Sequence, residues 1–303
     1  MALPGEMTAI LAAVCYALSF VLLHIGQSED ELPDHGLLPV LVISSLTFLF
    51  ALGTGFILRG GLNVGALIHY PSTKYAFLAG LVGTLLGRLA LYTSIERLGA
   101  TRGVVIKTLS PFMTLALAVI FLGEGFKKSY TLGLLLLIIG VIVLIMEYVW
   151  FPNRDNQFSY FMVSVGIAFA AANLQGVGHL FRKMSTTAHV TPIWLSTVDI
   201  CTAATGYILL LLITGKFPRV LRVYTKHLNL NIVAAGMLSA AGVLLFFHSV
   251  SKIDVSEVSV IIGAEPVFVA LISALISPNL ERLTIWTIVS TLFVACGVII
   301  ISL

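Results

Sequence analysis

Hydrophobic residues run in long blocks along the chain, and short polar or Gly/Pro-rich breaks separate the blocks. Five blocks fill the first half, and they lie near Thr8–Ile25, Leu37–Leu58, Tyr75–Ile95, Gly103–Leu122 and Thr131–Tyr148. Five more follow a polar stretch, and they lie near Tyr160–Leu180, Ile193–Thr214, Ile232–Ser251, Val258–Ile276 and Ile285–Leu303. A helix needs roughly 20 apolar residues to cross a hydrocarbon core about 30 Å thick. The pattern therefore predicts ten transmembrane helices, here called spans 1 to 10.

Composition strengthens the membrane prediction. Of the 303 residues, 58% are hydrophobic and 10% are charged, whereas a soluble domain carries about 25% charged residues. Within a bilayer only helices and closed β-barrels satisfy the hydrogen bonds of the backbone. The blocks lack the alternating hydrophobicity of barrel strands, which leaves helices. We therefore predict an all-α integral membrane protein. The first block has no basic segment before it and no cleavage site after it, which indicates a span and not a signal peptide.

Several classes of function are not supported by the residues. The net charge is +3, and no basic cluster interleaved with aromatic residues predicts a nucleic-acid partner. Cys15, Cys201 and Cys296 lie far apart within apolar blocks, so neither a disulfide framework nor a zinc site is expected. The chain contains no GxxxxGK[ST] loop and no HExxH motif. We expect no ATP drive encoded in this chain, no cofactor, no metal site and no enzymatic activity.

The second half repeats residues of the first half at a nearly constant offset. Matching pairs, with offsets that rise from 153 to 157 residues, are Pro39 with Pro192, Gly53 with Gly206, Pro111 with Pro266 and Glu124 with Glu281. A repeat with an odd number of spans enters the membrane from the opposite side the second time. The sequence thus predicts two inverted five-helix repeats, residues 1–150 and 151–303, a common plan of secondary transporters.

Two segments carry a resemblance to a known family. They read YTSIERLGATRGVVIKTLSPFMTLALAVIFLGEGFKKSYTLGLLLLIIGVIVLI and HSVSKIDVSEVSVIIGAEPVFVALISALISPNLERLTIWTIVSTLFVACGVIIIS. Each has a proline near the start of its second helix, a turn with glutamate and a final Gly-Val run, and each resembles the EamA-type repeat of the drug/metabolite transporter superfamily. The stretch Ser277–Leu280 departs from the usual Leu-Gly before the second glutamate. The resemblance implies ten helices, cytoplasmic termini and a central cavity lined by spans 1, 3, 4, 6, 8 and 9.

Charges in the loops bear on orientation, because short cytoplasmic loops are rich in Lys and Arg. The acidic loop Glu29–Glu31 and the pair Lys127–Lys128 favour a cytoplasmic N-terminus. The second half shows the opposite bias, chiefly in the basic connection Lys216–Lys226. From the first half and the resemblance we predict a multi-pass protein of the cell (inner or plasma) membrane with both termini cytoplasmic.

Charged residues within spans are the first candidates for a site, because insertion of each costs roughly 2.5–3.5 kcal/mol. Thr84, Arg88, Tyr92 and Glu96 recur every four residues and form one polar stripe on span 3. Arg88 is predicted to face the cavity with Tyr92 and to hold a carboxylate or phosphate through its planar fork. The alternatives are snorkelling to the interface or a structural pair with Glu96 or another acid.

Span 4 offers a second set of candidates at its start. Lys107 and Ser110 share a face with Thr114, and Pro111 leaves a carbonyl one turn back without its usual partner. The alternative for Lys107 is snorkelling to the nearby interface. In the second half Glu265 precedes Pro266, as Ser110 precedes Pro111. Glu265 has two candidate roles, namely proton or cation coupling and structural pairing with Arg88 or Lys107.

Uncharged polar residues in spans 1 and 6 complete the predicted substrate site. These are Ser19, Asn173 and Gln175, and interhelical hydrogen bonding is the alternative interpretation for them. Asp199 in span 7 is a further buried acid, but the resemblance places span 7 away from the cavity. His179 lies near a predicted helix end, where an interfacial position is expected.

The residues and the resemblance together favour a secondary active transporter. We expect it to export a small polar metabolite, an amino acid or organic anion, by alternating access at a midplane cavity. Expected partners are this substrate, membrane lipid and a proton or counter-substrate, in a monomer or homodimer. The alternatives are a flippase for a lipid or lipid-linked substrate with the same fold and, with less support, a membrane receptor or enzyme.

Overall fold

A computed structural model of the chain describes residues 3–30, 32–59, 70–125, 128–150, 158–186, 190–226, 228–280 and 284–302. The described part is helical throughout its secondary structure, and nine of its helices are long and apolar enough to cross a membrane. A shorter apolar helix, Ile285–Ile300, lies at the position of span 10. The all-α membrane fold predicted from the hydrophobic blocks is therefore confirmed.

Six of the spans are single helices whose bounds lie close to the hydrophobic blocks. Spans 1, 2, 5, 7, 8 and 10 are Gly5–Glu29, Leu37–Arg59, Lys128–Trp150, Pro192–Ile213, Leu230–Val250 and Ile285–Ser302. Span 6 is longer than its block, since its helix is Phe158–Ser185. Between spans 7 and 8 a short amphipathic helix, Phe217–Lys226, packs Val220 inward while Arg219 and Arg222 are exposed.

Spans 4 and 9 each break in the middle. Span 4 consists of Ala100–Lys107 and Ser110–Leu122, and span 9 consists of Val255–Ile262 and Glu265–Ile276. In both, proline is the second residue of the new helix. Proline has no N–H to donate and is tolerated only in the first turn of a helix. The break places Lys107 at the end of one helical segment and Glu265 at the start of another.

Span 3 is also irregular. Pro71–Ala79 and Gly87–Leu98 are α-helical, and the seven residues Gly80–Leu86 between them are π-helical. A π-helical turn holds an extra residue and shifts the faces of the helix that follows. The shift lies directly before Arg88.

Corresponding spans of the two halves make matching contacts. Span 1 packs against span 8 as span 6 packs against span 3, and span 1 packs against span 9 as span 6 packs against span 4. Spans 4 and 9 cross in opposite directions, because Ala100–Lys107 contacts Glu265–Ile276 while Ser110–Leu122 contacts Val255–Ile262. The start of one span meets the end of its counterpart, as an inverted repeat requires. Glu281, one of the residues on which the repeat was predicted, lies outside the described residues.

Glycines allow spans 3 and 6 to approach backbone to backbone. A Cβ atom on Gly178 would lie 2.5 Å from the Cα of Gly83, whereas one on Gly166 of the same span would meet nothing within 4 Å. We expect Gly178→Ala to lower the free energy of unfolding by about 1–3 kcal/mol, the usual cost of overpacking. Gly166→Ala, the matched control, should raise it by up to about 1 kcal/mol through helix propensity. Thermal unfolding in detergent micelles measures both, and equal effects would contradict this packing.

Candidate functional site

A polar cavity lies between the two halves of the molecule. Its walls come from spans 1, 3, 4, 6 and 9, five of the six spans that the family resemblance implies. The lining side chains are Tyr16, Phe20, Arg88, Leu91, Lys107, Gln175, His179, Arg182, Ile262 and Glu265. Span 8 does not line the cavity, but its Phe246 ring lies 4.6 Å from the ring of His179.

Lys107 and Glu265 form a salt bridge across the interface of the repeats. The lysine Nζ contacts Glu265 Oε2, and both side chains are buried. The breaks in spans 4 and 9 place the two residues opposite each other. The ammonium group also lies 5.4 Å from the Phe20 ring centroid and 5.9 Å from that of Tyr16, close enough for cation–π attraction. The structure thus contains the pairing of Glu265 with Lys107.

A second buried ion pair joins spans 6 and 7. Arg182 donates from Nε to Asp199 Oδ2 at 2.8 Å and from Nη2 to Thr84 Oγ1 at 2.8 Å. The Thr84 hydroxyl donates in turn to Asp199 Oδ1. The guanidinium lies 5.0 Å from the Phe246 ring centroid. Span 7 does not line the cavity, but its Asp199 contacts the lining residue Arg182.

Arg88 lines the cavity, and its charge has no acidic partner among the described residues. Its Nη1 is buried without a hydrogen-bond partner among the described residues. Glu96, the alternative partner considered from sequence, pairs with His35 instead. Tyr92 lies one turn further along span 3, near Arg88 and Ser239, but its buried hydroxyl has no well-formed hydrogen bond within the described part of the chain. The two side chains form a polar group with unused hydrogen-bonding capacity.

Span 6 supplies uncharged polar groups to the cavity. Gln175 Nε2 donates to the carbonyl of Gly87 at 3.5 Å. His179 Nδ1 lies 3.4 Å from Thr114 Oγ1 and 3.3 Å from Ser259 Oγ. These hydroxyls come from spans 4 and 9, so the imidazole links three spans beside the Lys107–Glu265 pair.

Four of the residues predicted for the site lie outside the cavity lining, namely Ser19, Tyr92, Ser110 and Asn173. Ser19 donates to the carbonyl of Ala235 at 2.8 Å and joins spans 1 and 8. Asn173 donates to Phe169 of its own helix at 2.8 Å. Ser110 is buried at the break of span 4 and does not line the cavity. The hydrogen bond of Ser19 is therefore interhelical, as in the alternative interpretation of this residue.

Apart from the aliphatic Leu91 and Ile262, sequence reasoning missed four lining residues, all aromatic or basic. Tyr16 and Phe20 were hidden among the apolar residues of span 1. His179 was expected at an interface and Arg182 in a loop, because span 6 was predicted to end at Leu180, five residues before its helix ends. A usable signal existed, since Gln175, His179 and Arg182 have the i, i+4, i+7 spacing of one helix face.

Polar contacts tie the bundle at both ends of the cavity. At one end, Glu124 accepts hydrogen bonds from the backbone N–H groups of Val255 and Ser256, each at 3.1 Å. Lys183 donates to the carbonyls of Val250 and Ile253 at 2.9 and 2.7 Å. These contacts hold the turn between spans 8 and 9.

At the other end, the connection between spans 1 and 2 is held from several sides. Buried Asp34 accepts hydrogen bonds from the Tyr224 hydroxyl and from the Leu38 N–H at 2.8 Å. Burial raises the pKa of this carboxyl, against the opposing effect of the Tyr224 hydrogen bond. Gln27 donates to the carbonyls of His35 and Tyr92 at 2.9 and 3.2 Å.

Little space is left inside the cavity in this conformation. The volume open to the centre of a water molecule is about 20 Å³, which holds one or two waters. A metabolite would need the walls to separate. The charged groups are therefore buried between the two ends of the cavity, each of which is held by hydrogen bonds.

Comparison with known proteins agrees with this architecture. The model of the EamA-like transporter family matches residues 3–146 and again 162–303. A probable transport protein of Saccharomyces cerevisiae is 26% identical over 178 residues, which are 54% of this chain and 50% of that protein. The chain thus spans about half the length of this curated relative. A crystal structure of a protein superposes with a TM-score of 0.65 over 98% of this chain and 96% of that chain, at 12% identity. This last likeness shows the fold alone.

Proposed function

The chain belongs to the EamA-like transporter family, and from that premise we propose that it is a secondary active transporter that exports a small polar metabolite. An amino acid or an organic anion is the substrate class in view. The observation that carries the proposal is the group of buried charges, Arg88, Lys107, Arg182 and Glu265, around a cavity between the two repeats. Ionisable residues at membrane depth are costly and mark substrate or ion pathways.

The hydrogen bonds at the two ends of the cavity support a mechanism of alternating access. Hydrogen bonds of Glu124 and Lys183 hold one end of the cavity, and hydrogen bonds of Asp34 and Gln27 hold the other end. Release of one set would open the cavity to one side of the membrane, and release of the other set to the opposite side. Inverted repeats that rock about a midplane site work in this way. We propose a proton or a counter-substrate as the driving partner, and a monomer or homodimer as the working unit.

We further propose that the protein resides in the cell (inner or plasma) membrane with both termini cytoplasmic. The support is the acidic connection after span 1 and the basic connection after span 4. In this orientation the Glu124 and Lys183 contacts face the cytoplasm. A single cysteine added at the C-terminus of a cysteine-free variant should resist an impermeant thiol reagent in intact cells. Labelling without permeabilisation would reverse the orientation.

The test of transport is a reconstitution experiment. Purified protein in proteoliposomes is screened with radiolabelled amino acids and organic acids, with and without an imposed proton gradient. We expect at least one compound to cross faster than in protein-free vesicles, and to saturate with concentration. If no small polar compound crosses above the protein-free control, the proposal is wrong.

A lipid or lipid-linked substrate is the second candidate because an apolar groove lies on the outside of spans 3 and 7. Its walls are Phe77, Leu81, Val198, Cys201, Thr202, Thr205, Gly206 and Leu209. The charged cavity is not part of this groove, and that favours the soluble substrate. Protein-dependent transfer of fluorescent phospholipid between leaflets, without metabolite transport, would favour the flippase.

A further inference from the structure

The buried charges in and behind the cavity do not balance. Three cations, Arg88, Lys107 and Arg182, are buried with two carboxylates, Asp199 and Glu265. Each carboxylate already forms a salt bridge, Glu265 with Lys107 and Asp199 with Arg182. The salt bridges of the described residues include none to Arg88. With histidine counted as neutral, the cluster therefore carries one excess positive charge, and Arg88 holds it.

The surroundings of Arg88 keep this charge in the cavity. Its side chain is 6% exposed, and Nη1 has no hydrogen-bond partner within the described part of the chain. The preceding residue, Gly87, packs directly against Gln175 of span 6: a Cβ there would lie 2.8 Å from Gln175 Cγ. This close packing against span 6 limits the helix of span 3 to one orientation at Gly87. The guanidinium is thus presented to the cavity with donor capacity to spare.

An unpaired guanidinium at this depth costs several kcal/mol unless a partner offsets its desolvation. We propose that the partner is the substrate itself, and that the cavity selects a small organic monoanion whose carboxylate binds Arg88 through two parallel hydrogen bonds. This inference rests on the proposed transport function and narrows its substrate class. It names Arg88 as the group that determines specificity.

The charge balance also indicates which compounds are disfavoured. A zwitterionic amino acid leaves the excess positive charge in place and brings an ammonium group near three cations. A dianion would replace an excess of one positive charge by an excess of one negative charge. A phosphate monoester carries about −1.5 to −2 at pH 7, so a carboxylate fits better. Neutral amides offer no compensating charge.

Binding of compounds matched in size and different in charge tests the proposal. The probes are lactate, alanine, lactamide and malonate, and the larger set 3-phenyllactate, phenylalanine, 3-phenyllactamide and phenylmalonate. Each is titrated against the purified protein in a neutral detergent at low chloride, with thermal unfolding as the readout. In at least one set, we expect the monoanion to raise the melting temperature at a concentration about tenfold or more below the concentrations that the other compounds of the set require. Equal shifts within both sets, or no shift from any probe, would overturn the proposal.

A pair of variants separates ligand binding from structural support. Arg88 and Arg182 are both 6% exposed, but within the described part of the chain only Arg182 has a carboxylate partner. Arg88→Gln should fold, melt no lower than the wild type without ligand, and lose the shift caused by the monoanion. Arg182→Gln should melt several degrees lower, because it leaves Asp199 buried and unpaired. An Arg88→Gln variant that melts clearly lower, fails to fold or retains the full shift would contradict the assignment.

Transport of the same probes distinguishes this inference from the function on which it rests. If lactate or phenyllactate binds through Arg88 but never crosses the membrane of proteoliposomes, the anion site stands and the transport function fails. If alanine or phenylalanine crosses equally well with wild type and Arg88→Gln, transport stands and the anion site fails.

Discussion

Replacement of Glu265 by glutamine should destabilise the protein more than almost any other single substitution. The change leaves Lys107 buried and charged without its partner, and loss of one member of a buried pair typically costs about 3–5 kcal/mol. Replacement of both residues, Lys107→Met with Glu265→Met, should restore most of the loss because no buried charge remains. Thermal unfolding in detergent micelles, and retention of a monodisperse peak after heating, measure both variants.

The matched control is another glutamate that contacts a basic side chain. Glu96 pairs with His35, and both side chains are about a third exposed. Glu96→Gln should therefore change stability by less than about 1 kcal/mol. The account of the Lys107–Glu265 pair is wrong if Glu265→Gln is as mild as Glu96→Gln, or if the double variant is no more stable than the single one.

Replacement of Asp199 by asparagine should have an effect of similar size. Asp199 accepts hydrogen bonds from Arg182 and from Thr84, so the amide would leave a buried guanidinium without its counter-charge. We expect a loss of about 3–5 kcal/mol. Because Arg182 lines the cavity, substrate affinity should also fall in the fraction that folds. Calorimetry of the purified variant and substrate titration report these two effects.

An exposed aspartate provides the comparison for this substitution. Asp254 precedes the first helix of span 9 without a side-chain capping hydrogen bond, and Asp254→Asn should be nearly neutral. A double-mutant cycle with Arg182→Gln then isolates the pairing energy. Coupling close to zero between Asp199 and Arg182 would show that the pair does not stabilise the fold.

Much of the fold could be predicted because the bilayer restricts it. Spans must be about 20 apolar residues long and helical, so hydrophobic blocks alone locate them. The break at Pro111 was also predictable, since the missing N–H frees a carbonyl one turn back. Hydropathy does not reveal where a helix ends beyond its apolar block. For that reason Arg182, in the last turn of the helix of span 6, was assigned to a loop.

The site could be predicted only in part, because a polar stripe does not specify its partners. Regular spacing placed Thr84, Arg88 and Glu96 on one face of span 3. The structure separates them: Thr84 contacts Asp199 of span 7, Arg88 lines the cavity and Glu96 pairs with His35. The π-helical segment Gly80–Leu86 contributes to this separation by shifting the faces of the helix. Single-sequence spacing does not detect such a shift.

The two polar residues of span 6 illustrate the same point. Asn173 and Gln175 were both expected in the cavity, yet residues two positions apart on a helix point in nearly opposite directions. Gln175 lines the cavity, and Asn173 donates to Phe169 of its own helix. The pattern indicated a helix that lines the cavity, but only one of its two predicted residues is in the lining.

The central claim is that substrate crosses the membrane through the cavity between the repeats. Variants of Gln175 and Asn173 test this claim most directly. Transport of the compound with the highest rate in proteoliposomes is measured for wild type, Gln175→Met and Asn173→Leu, which remove one amide each at similar volume. We predict that Gln175→Met raises KM about tenfold, the loss expected for one hydrogen bond of about 1.4 kcal/mol, while Asn173→Leu transports as the wild type does. Equal KM values for all three proteins, or impaired transport in Asn173→Leu alone, would contradict the assignment of the cavity as the transport site.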